Sequence, residues 1–159
     1  MEQIDSFNVD HDRLKPGIYV SRKDQLGTET ITSFDIRLKL ANREPAMDIQ
    51  AMHTMEHLGA TYLRNSEKWA SRTVYFGPMG CRTGFYVIFH GDYKSEDVVD
   101  LTKGLFQFMA NFKDEIPGAK RIECGYSLSH DLPMANYESK RFYDEVLSNL
   151  SDENLNYPI

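Results

Sequence analysis

Residues 48–65, DIQAMHTMEHLGATYLRN, favour a helix through their length and their content of alanine, methionine and leucine. On a helix that turns about 100° per residue, His53 and His57 lie about 40° apart, and Glu56 lies about 60° from His53. Two imidazoles one turn apart commonly hold a divalent metal ion, and a neighbouring carboxylate can transfer protons. The pattern H-x-x-E-H is the reversed zincin order, so this stretch predicts a metal site. The alternative is a polar patch that falls on one helix face by chance.

The length and composition of the chain indicate one domain spanning residues 1–159, with an N-terminal arm at 1–16 and a flexible tail at 151–159. The net charge of -6 and the absence of Lys/Arg runs longer than two argue against a nucleic-acid partner. No apolar run approaches the roughly 20 residues of a membrane span, and the N-terminus is acidic where a signal peptide is basic. We therefore expect a cytoplasmic protein with a small-molecule ligand and no membrane partner.

Short β-rich segments surround the predicted helix. Residues 32–40, TSFDIRLKL, alternate strictly between apolar and polar side chains, which predicts a half-buried antiparallel strand. Arg37, on the polar face, is then either a solvated strand residue or a cation turned toward a ligand carboxylate. The segment GIYVSR from Gly17, and residues 72–76 and 85–91, predict further strands.

Two more helices are predicted in the second half of the chain. Ser95 is placed to cap one helix, whose apolar residues recur at helical spacing as far as Phe112. Asp131 is placed to cap the last helix, which is expected to reach about Leu150.

The two cysteines, Cys81 and Cys124, offer different chemistry. Cys81 lies in the glycine-rich loop GPMGCRTG beside Arg82, where a cation can lower the pKa of a thiol and supply a thiolate. Cys124, in the strand-like segment RIECG, can supply the third protein ligand that a metal held by two histidines still needs. A His2Cys set leaves one position open, as in catalytic sites. For each cysteine, the alternative is a small buried residue.

Five motifs, in order and at matching spacing, closely resemble the S-ribosylhomocysteine lyase (LuxS) family: SFNVDH, FDIR, HTMEH, PMGCRTGFY and ECG. The resemblance spans almost the whole chain. It implies a single-domain, LuxS/metallopeptidase-like α+β fold, with an antiparallel sheet packed by helices. It also implies a cytoplasmic homodimer with two identical active sites at the dimer interface.

The resemblance also assigns roles to residues. It implies that His53, His57 and Cys124 bind one divalent metal ion per subunit, most typically Fe2+, for which Zn2+ or Co2+ can substitute. It implies that Glu56 and Cys81 are the two catalytic residues.

For the substrate, the resemblance implies contacts from Ser6, His11 and Arg37, with Ser6 and His11 coming from the partner subunit. One position departs from the family pattern. The strand residue six positions ahead of Cys81 is often acidic in the family, and here it is Tyr75. The resemblance therefore does not define the pocket for the amino-acid part of the substrate.

The implied reaction converts S-ribosylhomocysteine to homocysteine and 4,5-dihydroxy-2,3-pentanedione, the precursor of autoinducer-2, by two carbonyl migrations and a β-elimination. Cys81 would serve the first isomerisation and Glu56 the later proton transfers. Two alternatives are an H-x-x-E-H metallopeptidase, in which Glu56 activates water, and a non-enzymatic protein with a closed metal site. Cys124 as a ligand and the short chain weigh against the peptidase.

Overall fold

The computed structural model describes residues 2–158, so Met1 and Ile159 lie outside the described residues. Within this range the chain is one α+β domain, as the sequence predicts. Its strands are β1 (Gly17–Leu26), β2 (Glu29–Arg37), β3 (Thr73–Pro78) and β4 (Gly84–His90), and its α-helices are α1 (Ile49–Arg64), α2 (Val99–Asn111) and α3 (Leu132–Glu145). None of the described helices combines the length and the apolar character that crossing a membrane requires.

The four strands form one antiparallel sheet in the order β1-β2-β4-β3, with β2 in the interior. Ile36 of β2 joins the core with the helices, as expected. The polar face of this strand is also buried, because Asp35 and Arg37 are only 1% and 3% exposed. Lys39 is buried beyond the strand and pairs with Glu138 of α3 at 2.8 Å. The prediction of a half-buried strand is therefore wrong, because both faces are buried toward the end of β2.

Helix α1 is formed as its sequence predicts, and Asp48 caps it by accepting a hydrogen bond from the Gln50 amide. Its apolar residues join the core beneath the sheet. Gly59 lies against the ring of Phe76 on β3, where an added Cβ would meet a ring carbon at 2.2 Å. The missing side chain lets the helix approach the sheet closely and leaves His53 and His57 on its outer side.

The other two helices differ from the prediction at their ends. Ser95 does not cap α2, because residues 95–98 form a 3-10 turn and the Ser95 hydroxyl donates to the Leu155 carbonyl. Asp131 does cap α3, through the Met134 amide. This helix ends at Glu145, short of the predicted end, and a 3-10 turn follows.

The C-terminal segment packs on the domain, whereas the sequence predicts a flexible tail. Its 3-10 turn, Asp152–Asn154, lies near the start of β1. The Tyr157 ring stacks on Tyr19 with centroids 4.7 Å apart. The Tyr157 hydroxyl donates to the Asp35 carboxylate at 2.9 Å. The segment thereby covers the polar face of β2, and this cover is why that face is not solvated.

Candidate metal centre and thiol cavity

Four side chains on α1 and the segment before α3 form a cluster that could hold a metal ion; we call it the metal cluster: His53, His57, Cys124 and His130. The two Nε2 atoms of His53 and His57 are 3.1 Å apart, and the Cys124 Sγ lies 3.5 Å and 4.0 Å from them. A tetrahedral ion with bonds of about 2.0 to 2.3 Å separates its ligand atoms by about 3.3 to 3.8 Å. The three expected ligands therefore fit one ion.

Backbone carbonyls orient both helix histidines. The Nδ1 of His53 donates to the Ser129 carbonyl at 2.6 Å, and the Nδ1 of His57 donates to the Pro117 carbonyl at 2.8 Å. Because a carbonyl only accepts, each Nδ1 carries the proton and each Nε2 keeps its lone pair. Such outer hydrogen bonds fix the ring orientation in metal sites.

The segment between α2 and α3 is shaped to bring these carbonyls and the thiol to α1. Gly118 adopts a φ of +69°, and an added Cβ would lie 3.4 Å from the His57 Nδ1. Cys124 follows a turn in which its amide donates to the Lys120 carbonyl at 2.9 Å. The prediction that RIECG is strand-like is therefore wrong, and the cysteine is presented by a turn.

His130 is the member of the metal cluster that the sequence reasoning missed. Its Nε2 lies 3.8 Å from the Cys124 Sγ, and its ring stacks on His53 with centroids 4.0 Å apart. Its Nδ1 lies 3.1 Å from the Thr54 hydroxyl. Burial lowers the pKa of His130 to about 4, with a further contribution from the neighbouring His53 and His57, so the ring is neutral near pH 7. The sequence did offer one signal for this histidine, its position immediately before Asp131, the predicted cap of α3.

Glu56 lies on the same helix as the two histidines and is partly buried. Among the described residues no hydrogen bond to its carboxylate is found, so both oxygens can accept a proton. The role of Glu56 in proton transfer stays a prediction.

Cys81 lines a different cavity, of about 280 Å³, which we call the thiol cavity; its other lining residues include Ser6, His11, Arg37 and Tyr157. None of the four residues of the metal cluster lines it. The structure thus brings the expected substrate contacts to Cys81 of their own chain. It does not bring them to the metal cluster of that chain.

The surroundings of Cys81 favour its thiolate. The Cys81 Sγ lies 3.1 Å from the Thr83 hydroxyl and 3.9 Å from the Arg37 guanidinium. Partial burial raises the pKa of Cys81, but the hydrogen bonds from Thr83 and the charge of Arg37 outweigh it, so the pKa is lowered overall. The glycine-rich loop therefore presents an exposed thiol that ionises more readily than an ordinary cysteine.

Of the two alternatives for Arg37, the solvated strand residue is wrong, and the contact with a ligand carboxylate stays a prediction. Its Nε and Nη2 donate to the two oxygens of Asp35 at 3.1 and 2.5 Å, and its Nη1 donates to the Thr83 hydroxyl at 2.7 Å. It is buried rather than solvated. Most of its donors are engaged within the protein, so its main contact toward the cavity is with the Cys81 thiol.

Of the two remaining positions, His11 lines the thiol cavity and Tyr75 lines a neighbouring one. The His11 Nδ1 lies 2.8 Å from the Val9 carbonyl, to which it donates, and this leaves Nε2 as an acceptor. Tyr75, which stands where the family often has an acidic residue, is 48% exposed. It lines a neighbouring cavity together with Ser6.

Comparison with known proteins identifies the family. The family model described as S-ribosylhomocysteinase (LuxS) matches residues 4–153. Relatives named S-ribosylhomocysteine lyase from Phocaeicola vulgatus and Clostridium acetobutylicum are each 55% identical over 158 residues, covering 99% of this chain and 98% and 99% of the relatives. A relative of the same name from Borreliella burgdorferi is 54% identical, covering 99% of this chain and 100% of its own. The chain therefore belongs to the S-ribosylhomocysteinase (LuxS) family.

Proposed function

We propose that this protein is a metal-dependent lyase that cleaves S-ribosyl-L-homocysteine to L-homocysteine and 4,5-dihydroxy-2,3-pentanedione, the precursor of autoinducer-2. The observation that carries the proposal is the presence of the metal cluster together with a separate ionisable thiol, in a chain that matches the S-ribosylhomocysteine lyases over nearly its full length. The cleavage is an elimination, so it needs groups that remove and return protons but no redox partner.

The metal cluster would hold one divalent ion per subunit through His53, His57 and Cys124. Imidazole and thiolate ligands suit Fe2+, Co2+ and Zn2+, and we propose Fe2+ from the family resemblance. When bound, the ion supplies a Lewis acid that makes hydrogens on the carbons beside the sugar carbonyl acidic.

Cys81 is the proposed base of the first carbonyl migration, from C1 to C2. Its thiolate takes the proton from C2 of the opened sugar and the resulting thiol returns a proton at C1, so the step is neutral overall. Thr83 and Arg37 stabilise the thiolate between turnovers. The exposure of the thiol leaves room for the sugar chain beside it.

Glu56 is the proposed proton carrier of the later steps. It would move a proton from C3 to C2 as the carbonyl migrates to C3, and then remove the proton from C4. The electron pair of that C–H bond forms the C4–C5 double bond, and the C5–S bond breaks to release homocysteine as a thiolate. The thiolate then takes up a proton, and the enol left at C4 loses its hydroxyl proton while C5 gains one, which gives the dicarbonyl product with its terminal methyl group.

We propose that the active protein is a homodimer in which each site combines the metal cluster of one subunit with the thiol cavity of the other. Support comes from the separation of the two within one chain, because no residue of the metal cluster lines the thiol cavity. Arg37, which lines that cavity, alternates with the core residue Ile36 on β2 and so lies on the sheet face opposite the helices. Ser6 and His11 would then cross the interface together with Cys81 of their own chain. The expectation of a cytoplasmic location stays a prediction.

Incubation with S-ribosylhomocysteine, with release of free thiol followed by a chromogenic disulfide reagent, tests the function. We expect one thiol per substrate consumed, and a matching amount of the dicarbonyl product. Protein stripped of metal by a chelator should be inactive and should recover on addition of Fe2+ or Co2+ under anaerobic conditions. Peptide hydrolysis without thiol release would instead establish the metallopeptidase alternative.

A further inference from the structure

We propose that Tyr157 is a positioning residue for Cys81, acting through Asp35 to hold the Arg37 guanidinium beside the thiol. The inference rests on the proposed role of Cys81. It assigns a function to a C-terminal residue that the sequence placed in a flexible tail. Tyr157 lines the thiol cavity, although 76 residues of sequence separate it from Cys81.

The contacts form a continuous chain from the tail to the thiol. The Tyr157 hydroxyl donates to Asp35 Oδ2 at 2.9 Å, and the same oxygen accepts from Arg37 Nη2 at 2.5 Å. Arg37 Nη1 then lies 2.7 Å from the Thr83 hydroxyl and 3.9 Å from the Cys81 Sγ. Every link joins polar atoms of side chains, so a change at one end can reach the other.

The ring of Tyr157 is held in place independently of its hydroxyl. It stacks on the ring of Tyr19, and the planes of the two rings are inclined by only 13°. Tyr19 is itself fully buried. The Tyr19 hydroxyl lies 2.8 Å from the Lys15 carbonyl and 3.0 Å from the Glu153 carbonyl, and its single proton is shared between these two acceptors. Because both rings are fixed, the Tyr157 hydroxyl is directed at Asp35 with little freedom to turn away.

The Tyr157 hydroxyl is neutral near pH 7 and can donate its proton to Asp35. Burial and the adjacent Asp35 carboxylate both raise the pKa of Tyr157 above its ordinary value. The hydroxyl thus stays protonated and neutral while it satisfies one lone pair of Asp35. It contributes no charge of its own, so its influence on the thiol passes through the ion pair.

Loss of the Tyr157 hydroxyl should reduce the stabilisation of the Cys81 thiolate by Arg37. Without it, Asp35 Oδ2 loses a donor, and more of the carboxylate charge is directed at the Arg37 guanidinium. The positive charge felt by Cys81 falls, and the guanidinium is less firmly placed. A smaller fraction of thiolate at a given pH is the measurable consequence.

The other ionisable groups around Cys81 remain the same in such a variant. They come from the arm and from two strands: His11 of the arm, Asp35 and Arg37 of β2, and Tyr86 of β4. Arg82 adjoins the thiol along the loop. A change in the ionisation of Cys81 on removing one neutral hydroxyl therefore reports on the ion pair rather than on a lost charge.

The test compares Tyr157→Phe with Tyr137→Phe, a matched loss of a hydroxyl from a tyrosine on α3 that is 58% exposed. Metal-loaded protein is alkylated with iodoacetamide across the pH range, and modification of the Cys81 peptide is followed by mass spectrometry. We expect Tyr157→Phe to move the alkylation midpoint to higher pH, with about a threefold lower rate below the midpoint. Tyr137→Phe should reproduce the unaltered profile.

A profile for Tyr157→Phe that coincides with the unaltered protein would overturn the inference. Should this variant fail to fold, a fluorotyrosine at position 157 keeps the ring and is a stronger donor, so it should move the midpoint to lower pH; an unmoved midpoint would count equally against the inference. The readout needs no substrate. If Cys81→Ala keeps full lyase activity, the proposed role of Cys81 fails instead.

Discussion

The Nε2 atom of His53 lies 3.5 Å from the Sγ atom of Cys124, although 71 residues separate the two in sequence. Folding of the segment before α3 over the outer side of α1 creates this contact. The second cysteine, Cys81, lies in the separate thiol cavity. Substitution of the two cysteines should therefore differ in its effect on the metal content of the protein.

Substitution of the cysteines one at a time should separate metal binding from catalysis. We expect Cys124→Ala to lose both metal and activity, because it removes one of three protein ligands. Cys81→Ala should keep the metal and lose activity. Elemental analysis of the purified variants measures this. The reverse pattern of metal contents would show that the two roles have been exchanged.

His130→Ala tests whether the fourth member of the metal cluster supports the metal. We expect the variant to retain metal but to bind it about tenfold more weakly, as is typical when a group beside the ligands is lost. Chelator competition measures the affinity, and His90→Ala, at an exposed histidine, is the control. A complete loss of metal would make His130 a ligand in its own right, and an unaltered affinity would remove it from the site.

Glu56→Gln tests the later proton transfers. The amide keeps the size of the side chain but cannot accept a proton, so the fold and the metal content should survive. Release of homocysteine should nearly stop, while deuterium from solvent should still enter at C2 of the substrate through Cys81. NMR of the sugar carbons, with thiol release measured in parallel, separates the two steps. Normal thiol release, or loss of metal, would refute the assigned role.

Mixing of inactive subunits tests how the two halves of each site are shared. If the metal cluster of one subunit meets the thiol cavity of the other, Cys81→Ala mixed with Glu56→Gln should recover up to about half of the unaltered activity per heterodimer, since one of its two sites is intact. Cys81→Ala mixed with His11→Ala should recover none, because both residues line one cavity of one chain.

The control for this mixing is exchange of subunits verified by native mass spectrometry with one tagged partner. Recovery by the pair Cys81→Ala and His11→Ala, but not by Cys81→Ala and Glu56→Gln, would show that the arm crosses to the partner's cavity, as the sequence alone suggested.

Gly59→Ala tests the close approach of α1 to the sheet. An added Cβ would lie 2.2 Å from a ring carbon of Phe76, and overpacking of this kind costs about 1 to 3 kcal/mol. Alanine recovers up to about 1 kcal/mol through its helix propensity, so we expect a net loss of about 1 to 2 kcal/mol in the free energy of unfolding. Urea denaturation measures it. Gly80→Ala, where an added Cβ has no neighbour within 4 Å, should be nearly neutral.

Local sequence patterns were sufficient to predict the part of the metal site that lies on α1. The spacing of His53, Glu56 and His57 follows from helix geometry alone, and Asp48 caps that helix through atoms two residues away. Of the strands that flank α1, β3 begins within one residue of the predicted 72–76, whereas β2 begins and ends three residues before the predicted 32–40. Cys124 was reached only through its chemistry and the family resemblance.

Features that depend on distant contacts could not be predicted in the same way. The polarity of Arg37 suggested solvent or a ligand, yet the C-terminal segment and Asp35 enclose it. Its burial depends on Tyr157, whose own position depends on stacking against Tyr19. No window of sequence contains all of these residues, so no periodicity could reveal them.

The sequence by itself thus determined the metal-binding helix, the nature of its side chains and the family, because helix geometry and motif order are written along the chain. Only the tertiary structure decided that His130 joins the metal cluster, that Cys81 lies in a separate cavity with the arm, and that the tail completes that cavity. These depend on which surfaces meet when the chain folds, and such contacts are set by packing between segments far apart in sequence.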